Sequence, residues 1–263
     1  MGYSNPAAYQ RFMGRWSARL APLFIHFAGV EDGQRVLDVG CGTGSLSAAL
    51  LSVCTDIRVV GVDPVAEYVA FTRQEVRDHR AVFQTSAAEA LPFCDAEFDT
   101  ALALLVLQEL DDPGQALFQM TRVTRAGGCI AACQWDFEGG LPMQSLFWSA
   151  AEALAHTEVA RRRGQGNPIK RATLQDLAEH WTRAGLRNVR TAPLELAMHF
   201  CSFNDYWQPF LAGATPTSAF AATLNRETAG ELERTIRSRI GNVQADGSFV
   251  LPARALAVAG LKH

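Results

Sequence analysis

Three glycines at alternate positions, Gly40, Gly42 and Gly44, follow a short apolar run that carries an acid, Asp38. Glycine has no Cβ, so a chain built this way passes close beneath a ligand where another residue would clash. A second acid, Asp63, ends the next apolar run 19 residues beyond Gly44. That is the separation at which a carboxylate reaches the hydroxyl pair of a ribose. A tight strand-to-helix turn without a ligand would need the glycines but not the acid that accompanies them.

The spacing also bears on the ligand. A dinucleotide site uses Gly-x-Gly-x-x-Gly, in which the third glycine lets helix and strand pack while a helix N-terminus faces pyrophosphate. Here that third position is Ser45 counted from Gly40, or Ser47 counted from Gly42. Asp38 would repel a pyrophosphate at close range, yet it can accept hydrogen bonds mediated to an ammonium group. The pattern therefore favours a ligand with an amino-acid end, such as S-adenosylmethionine, over NAD.

The elements that must position these residues follow from periodicity. Residues 36–40, 57–63, 81–84, 98–104 and 129–135 form short apolar runs that read as strands. Between them lie helical patterns over 45–51, 65–79 and 113–125, the last expected to stop in a left-handed cap at Gly127-Gly128. Apolar strands alternating with helices define an α/β fold whose parallel sheet is covered on both faces. Upstream, Phe12, Trp16, Leu20, Leu23, Phe24 and Phe27 mark one face of a helix, with Pro22 expected to kink or split it and Gly29 to close it. Downstream, helices over 144–156 and 173–184 bracket a polar loop, and strand-like stretches over 187–200 and 248–259 enclose helical material over 203–240. The expectation is a doubly wound, mostly parallel seven-stranded sheet with a late antiparallel hairpin and a helical cap. It is read as one domain, with a cofactor-binding half at about 33–136, a cap from about 1–30, 137–171 and 201–246, and a hairpin at about 187–200 and 248–259.

Composition narrows the partners. The 263 residues are 48% hydrophobic and carry a formal net charge of −3, so no basic field draws the protein to nucleic acid or anionic membranes. The longest aliphatic run, residues 101–107, is far shorter than the roughly 20 residues of a membrane span. The first six residues lack a charged region followed by an apolar stretch, and Pro6 occupies the Ser/Thr position of a myristoylation signal. Six scattered cysteines without a Cys-x-x-Cys pair suit reduced thiols in the cytoplasm, and the six scattered histidines suggest no metal site. His26 and His199 lie in apolar runs and read as core histidines. The basic cluster of Arg161, Arg162, Arg163, Lys170 and Arg171 reads as a solvated loop, with a phosphate-binding patch as the alternative.

At this point the chain resembles the class I S-adenosylmethionine-dependent methyltransferases, nearest the branch that includes quinone-biosynthesis enzymes. Residues 36–44 are similar to the family's first motif throughout, and 59–64 to its second-strand motif. Residues 88–93 with Phe98-Asp99 resemble the adenine-side loop and fourth strand, and 122–128 the turn before strand five. The resemblance is strong over residues 33–136 and weak elsewhere. It implies that Gly40, Cys41, Gly42 and Gly44 border the methionine part, that Asp38 orients its amino group, and that Asp63 with Pro64 binds the ribose. Ala87, Ala88 and Glu89 would stand at the adenine, and the backbone of Leu104 and Leu105 at the sulfonium. The family's usual loop acid is Ala87 here, so that contact falls to backbone or to Glu89; the usual proline before the double glycine is Ala126.

Methyl transfer from a sulfonium is an in-line displacement that needs positioning and exclusion of water more than a base. No catalytic residue is therefore assigned. Gln108 and Glu109 follow strand four, where they either face a substrate or open a helix, and Asp111-Asp112-Pro113 reads as a helix cap rather than a metal site. The chain lacks the Asn/Asp-Pro-Pro-Tyr/Phe and Pro-Cys motifs that resembling base-methylating enzymes carry. All five tryptophans lie outside residues 36–134, so they and nearby rings such as Phe147, Tyr206 and Phe210 are expected in the cap, a subset lining an apolar pocket. Tyr9, Arg15 and Trp16 either fold over the cofactor, Arg15 pairing with its carboxylate, or pack on the sheet. The expected activity is methyl transfer from S-adenosylmethionine to a small, largely apolar or aromatic metabolite, without a metal. A non-catalytic module holding the same cofactor and a nucleotide-dependent oxidoreductase stay open as alternatives.

Overall fold

A computed structural model describes residues 5–154, 171–212 and 216–263. The basic residues 161–163 and Lys170 lie outside the described residues. Seven strands form one sheet: β1 (Arg35–Val39), β2 (Arg58–Asp63), β3 (Ala81–Thr85), β4 (Phe98–Leu104), β5 (Thr124–Trp135), β6 (Arg187–Phe200) and β7 (Phe249–Leu261). Their order is β3-β2-β1-β4-β5-β7-β6. The strands from β3 to β5 pair in parallel, and β7 runs antiparallel to β5. The expected strands are all present, and the chain reverses direction across the sheet between β1 and β4. In open α/β sheets that reversal leaves a crevice at the carboxyl ends of the strands.

Two compact units divide the chain. Of the described residues, the sheet unit comprises those of Gly14–Trp135, Asn167–Leu194 and Ala255–His263, and the aromatic unit those of Met1–Met13, Asp136–Gly166 and Glu195–Arg254. In the sheet unit, α2 (Arg15–Ala28), α3 (Ser45–Val53), α4 (Ala66–Glu75), α5 (Pro113–Val123) and α7 (Leu174–Arg183) accompany the strands. Leu37, Val39, Ala101, Ala103 and Ile130 are buried in its aliphatic core. The aromatic unit carries α1 (Pro6–Tyr9), α6 (Pro142–Ala153), α8 (Phe203–Trp207), α9 (Pro216–Ala221) and α10 (Arg226–Arg239). No helix of the described residues is long and apolar enough to cross a membrane.

Several local expectations are corrected. Pro22 does not split α2, which runs unbroken to a left-handed cap at Gly29; a π-helical turn over Gln10–Gly14 precedes it instead. On that helix Leu23 and His26 are exposed, so the buried stripe is Trp16, Leu20 and Phe24. His199, on β6, is exposed as well. Helix α5 ends before the double glycine because Thr124 is already extended and pairs with Phe98. Gly127, at φ 72°, lies within β5, where the register with β4 shifts, and its N–H reaches the Lys262 carbonyl. Three tryptophans belong to the sheet unit rather than to a cap: Trp16, Trp135 and Trp181. Trp181 is buried because its indole N–H finds the Ile130 carbonyl of β5 at 2.9 Å, which satisfies its one polar atom inside an aliphatic core.

Candidate cofactor site

The glycine turn lies between the end of β1 and α3. Gly40, Gly42 and Gly44 all have positive φ (71°, 52° and 86°), a region in which an L side chain is strained. A Cβ at Gly40 would meet Val106 at 2.5 Å, and one at Gly44 would meet Thr72 at 2.8 Å and Val76 at 2.9 Å. Protein packing thus explains the first and third glycines. At Gly42 a Cβ would meet nothing closer than 3.8 Å, so there the backbone conformation alone calls for glycine.

Asp63, at the end of β2, is held by two backbone donors. Gly42 N–H donates to its Oδ2 at 3.1 Å and Val65 N–H to its Oδ1 at 2.9 Å. Burial pushes its carboxyl up and these two donors pull it down, the burial being the larger effect. Each oxygen retains lone-pair capacity for a further donor, the chemistry a vicinal diol requires. The loop after β3 is tied to the same point, since Ser86 N–H bonds the Asp63 carbonyl at 3.1 Å. That bond brings Ala87 and Glu89, both partly exposed, and the buried Ala88 to the end of β2, with Pro64 exposed beside them.

Asp38 is deeper, at 1% exposure against 9% for Asp63. Ser47 Oγ donates to its Oδ2 at 2.7 Å from the first turn of α3. Burial raises the Asp38 carboxyl from its ordinary 3.8 to about 7, against the hydrogen bonds from Ser47. The Ser47 hydroxyl is thereby occupied at the position where a dinucleotide fold needs its third glycine. Cys41 turns its side chain into a small cluster with Val69 and Phe83, and its N–H bonds the Val62 carbonyl at 2.8 Å. Burial, with the negative Asp38 and Asp63, pushes its thiol well up, so it stays protonated.

At the end of β4, Leu105 adopts φ 63° while its N–H bonds the Cys133 carbonyl at 2.7 Å. A left-handed leucine is strained by about 1–2 kcal/mol; here it turns the chain so that Val106 closes onto Gly40. Leu104 and Leu105 are both buried. Gln108 does not point into open space: its Oε1 accepts from Trp135 N–H at 3.1 Å, while its Nε2 donates to Glu109 at 3.2 Å. Asp112 caps α5, accepting from Gln115 N–H at 2.9 Å, as its position before Pro113 predicts. Arg15 opens α2 with its guanidinium 4.4 Å from the Trp16 ring centre, and the preceding Gly14 carbonyl accepts from Ser45 Oγ at 3.4 Å. The start of α2 thus touches the start of α3. Tyr9 belongs to the aromatic unit.

The strand ends of β1 to β4 therefore bring together Asp38, the glycine turn, Asp63, the 87–89 loop and Leu105. Sequence reasoning missed three participants: the hydroxyl of Ser47, Thr72 of α4, and Val106. Only Ser47 carried a signal, as a polar residue where a glycine was sought.

Comparison with known proteins bears on the family and the fold. Residues 37–132 match a family described as a methyltransferase domain. The 27-O-demethylrifamycin SV methyltransferase of Amycolatopsis mediterranei is 32% identical over 174 residues, 65% of this chain and 60% of that protein. The demethylmenaquinone methyltransferase of a Roseiflexus species is 35% identical over 100 residues, 38% of this chain and 42% of that protein. Among solved structures, phosphoethanolamine N-methyltransferase 2 of Haemonchus contortus, in complex with phosphomonomethylethanolamine and S-adenosylhomocysteine, shares the fold. Its TM-score is 0.59 at 18% identity, with 98% of this chain and 56% of that one covered. The chain spans about half the length of the curated relatives it matches. Residues 37–132 are a methyltransferase domain, and the strand order is that of the class I S-adenosylmethionine-dependent methyltransferase fold.

Proposed function

We propose that the chain binds S-adenosylmethionine at these strand ends and transfers its methyl group to a small, largely apolar or aromatic metabolite. The observation that carries the reading is Asp63, whose two oxygens are fixed by Gly42 and Val65 N–H groups beside a turn whose three glycines all have positive φ. When bound, the cofactor supplies an electrophilic methyl on a sulfonium. Asp63 accepts from the ribose hydroxyls, with Pro64 beside it. Ala87, Ala88 and Glu89 stand at the adenine, and Gly40, Cys41, Gly42 and Gly44 offer backbone along the methionine part. Asp38 acts on the amino group from beneath the turn, Arg15 pairs with the carboxylate, and the backbone of Leu104 and Leu105 borders the reacting sulfur. With Gln108 engaged by Trp135, the chain contributes positioning and exclusion of water rather than an assigned base.

The acceptor class is supported by relatives named for rifamycin and menaquinone precursors and by a formal charge of −3, which offers nucleic acid no field. The rings expected to line a pocket support it less: Phe147, Tyr206 and Phe210 are buried against one another. Among the described rings of residues 137–246, Phe137, Trp148 and Phe220 keep partial exposure. Free cysteines suit a cytoplasmic setting. Transfer of labelled methyl from S-adenosylmethionine tests the reading across a panel of phenols, quinols, carboxylates and amines, with protein and RNA as controls. Label in a small apolar acceptor is expected; label only in protein or RNA, or tight cofactor binding with no product, contradicts it.

A further inference from the structure

Helix α4 grips the glycine turn through a side chain that the cofactor reading leaves without a role. Thr72 is fully buried, and its Oγ1 donates to the Gly42 carbonyl at 2.6 Å. Its methyl group stands against Gly44, where a Cβ would approach within 2.8 Å. The other face of the same glycine is held by Asp63, which accepts Gly42 N–H. Asp63 and Thr72 lie nine residues apart in one segment. That segment therefore seizes Gly42 at both its polar groups, carbonyl on one side and N–H on the other. Neither group has a ladder or helix partner, because Gly42 is in the left-handed region at φ 52°. The turn's own bonds, Cys41 N–H to Val62 and Gly44 N–H to Cys41, do not involve Gly42.

We propose that Thr72 is a positioning residue that sets the distance between the glycine turn and Asp63, and so tunes the grip on the ribose. The inference rests on the cofactor reading above for its effect on binding, but the two-point hold on Gly42 belongs to the unliganded fold. Removing the hydroxyl leaves the Gly42 carbonyl without this partner and frees the Gly42–Thr43 peptide to turn about ψ of Gly42. The Gly42 N–H belongs to the preceding Cys41–Gly42 peptide, and its hold on Asp63 Oδ2 loosens as φ of the same glycine readjusts. A residue that only filled space would tolerate an isosteric change.

Thr72→Val keeps the shape and loses the hydroxyl, whereas Thr72→Ser keeps the hydroxyl and loses the methyl. Two measurements separate the ideas. In the unliganded protein, amide exchange at Gly42 should accelerate in Thr72→Val and stay near wild type in Thr72→Ser. Unchanged protection of Gly42 in Thr72→Val overturns the proposal, whether or not any cofactor binds. In calorimetry, Thr72→Val should weaken S-adenosylhomocysteine by about three- to tenfold, the range of one hydrogen bond, with Thr72→Ser restoring most of it. The preference for S-adenosylhomocysteine over its 2′-deoxy analogue should shrink in Thr72→Val, and the loss should not add to that of Asp63→Asn. Fully additive losses, or a Thr72→Ser variant as weak as Thr72→Val, overturn it. A wild type that binds no S-adenosylhomocysteine, yet whose Gly42 exchange responds to Thr72→Val, defeats the cofactor reading and leaves the clamp standing.

Discussion

The two units bury different kinds of side chain. In the sheet unit the core is mostly aliphatic, with single rings such as Phe98 and Trp181 set into it, and the unit buries Asp38, Ser47, Asp63, Thr72 and Gln108, each bonded to a named partner. In the aromatic unit the core is a chain of rings. Phe147 stacks on Phe210 at 4.9 Å with planes 2° apart, and Phe200 stacks on Phe249 at 5.0 Å. Tyr206 meets Phe210 at 5.1 Å while its hydroxyl donates to the Met143 carbonyl at 2.8 Å. Burial pushes that phenol up, so it stays neutral. In the same unit the buried Asp136 accepts from the exposed Arg254, whose Nε lies 2.7 Å away. Rings bury large areas and fix their neighbours by edge and face preferences, and phenylalanines do so without polar atoms to satisfy. Buried acids cost stability unless they are held, and the sheet unit holds them where its strands end. The contrast is between a core of packed rings and a core that carries bonded polar side chains at its strand ends.

That contrast can be broken most severely at Phe147. Truncating this fully buried ring to alanine should cost about 3–5 kcal/mol in denaturant unfolding followed by tryptophan fluorescence. S-adenosylhomocysteine affinity, measured well below the transition, should stay close to wild type. A small stability loss with a large loss of affinity would mean that the ring serves the site rather than the core.

A change of opposite sign is expected at Asp38. Its carboxyl is raised to about 7 by burial, so the folded state holds the proton more tightly than the unfolded chain. This group's contribution to stability is full below its ordinary 3.8 and is lost as pH rises through about 7. Asp38→Asn should therefore match wild type near pH 4 and exceed it at pH 8, by on the order of 2–4 kcal/mol. Cofactor affinity at pH 8 should fall in the same variant. Melting curves across pH read the first effect, with wild type minus variant cancelling the other acids, and calorimetry reads the second. A variant less stable than wild type at pH 8 would show that the ionised acid is well compensated in the fold.

The parts that sequence made legible share a physical cause. Parallel strands buried on both faces need continuous apolar runs, so β1, β2 and β4 are readable without context. Gly40, Gly42 and Gly44 are readable because positive φ leaves few other choices. The unreadable parts depend on partners far along the chain. Thr72 is an ordinary helix threonine until the fold brings the Gly42 carbonyl, 30 residues away, within 2.6 Å. Trp181 joins the sheet core through Ile130, 51 residues away, and nothing in its own helix separates that fate from a place in a cap. His26 occupies an apolar run but turns outward with the helix. Gly127-Gly128 signals a helix end, yet Thr124 pairs with β4 first and moves that end upstream.

Asp63 is the residue on which the cofactor reading turns, and calorimetry of wild type and Asp63→Ala with S-adenosylhomocysteine tests it most directly. Wild type should bind at one site per chain. Asp63→Ala should bind about ten- to 150-fold more weakly, the loss of hydrogen bonds to a charged group worth roughly 1.5–3 kcal/mol; its melting temperature should fall as Gly42 and Val65 N–H lose their acceptor, so both proteins are titrated well below the transition. Equal affinity in the two proteins, or heat from NADH and none from S-adenosylhomocysteine in wild type, would contradict the account.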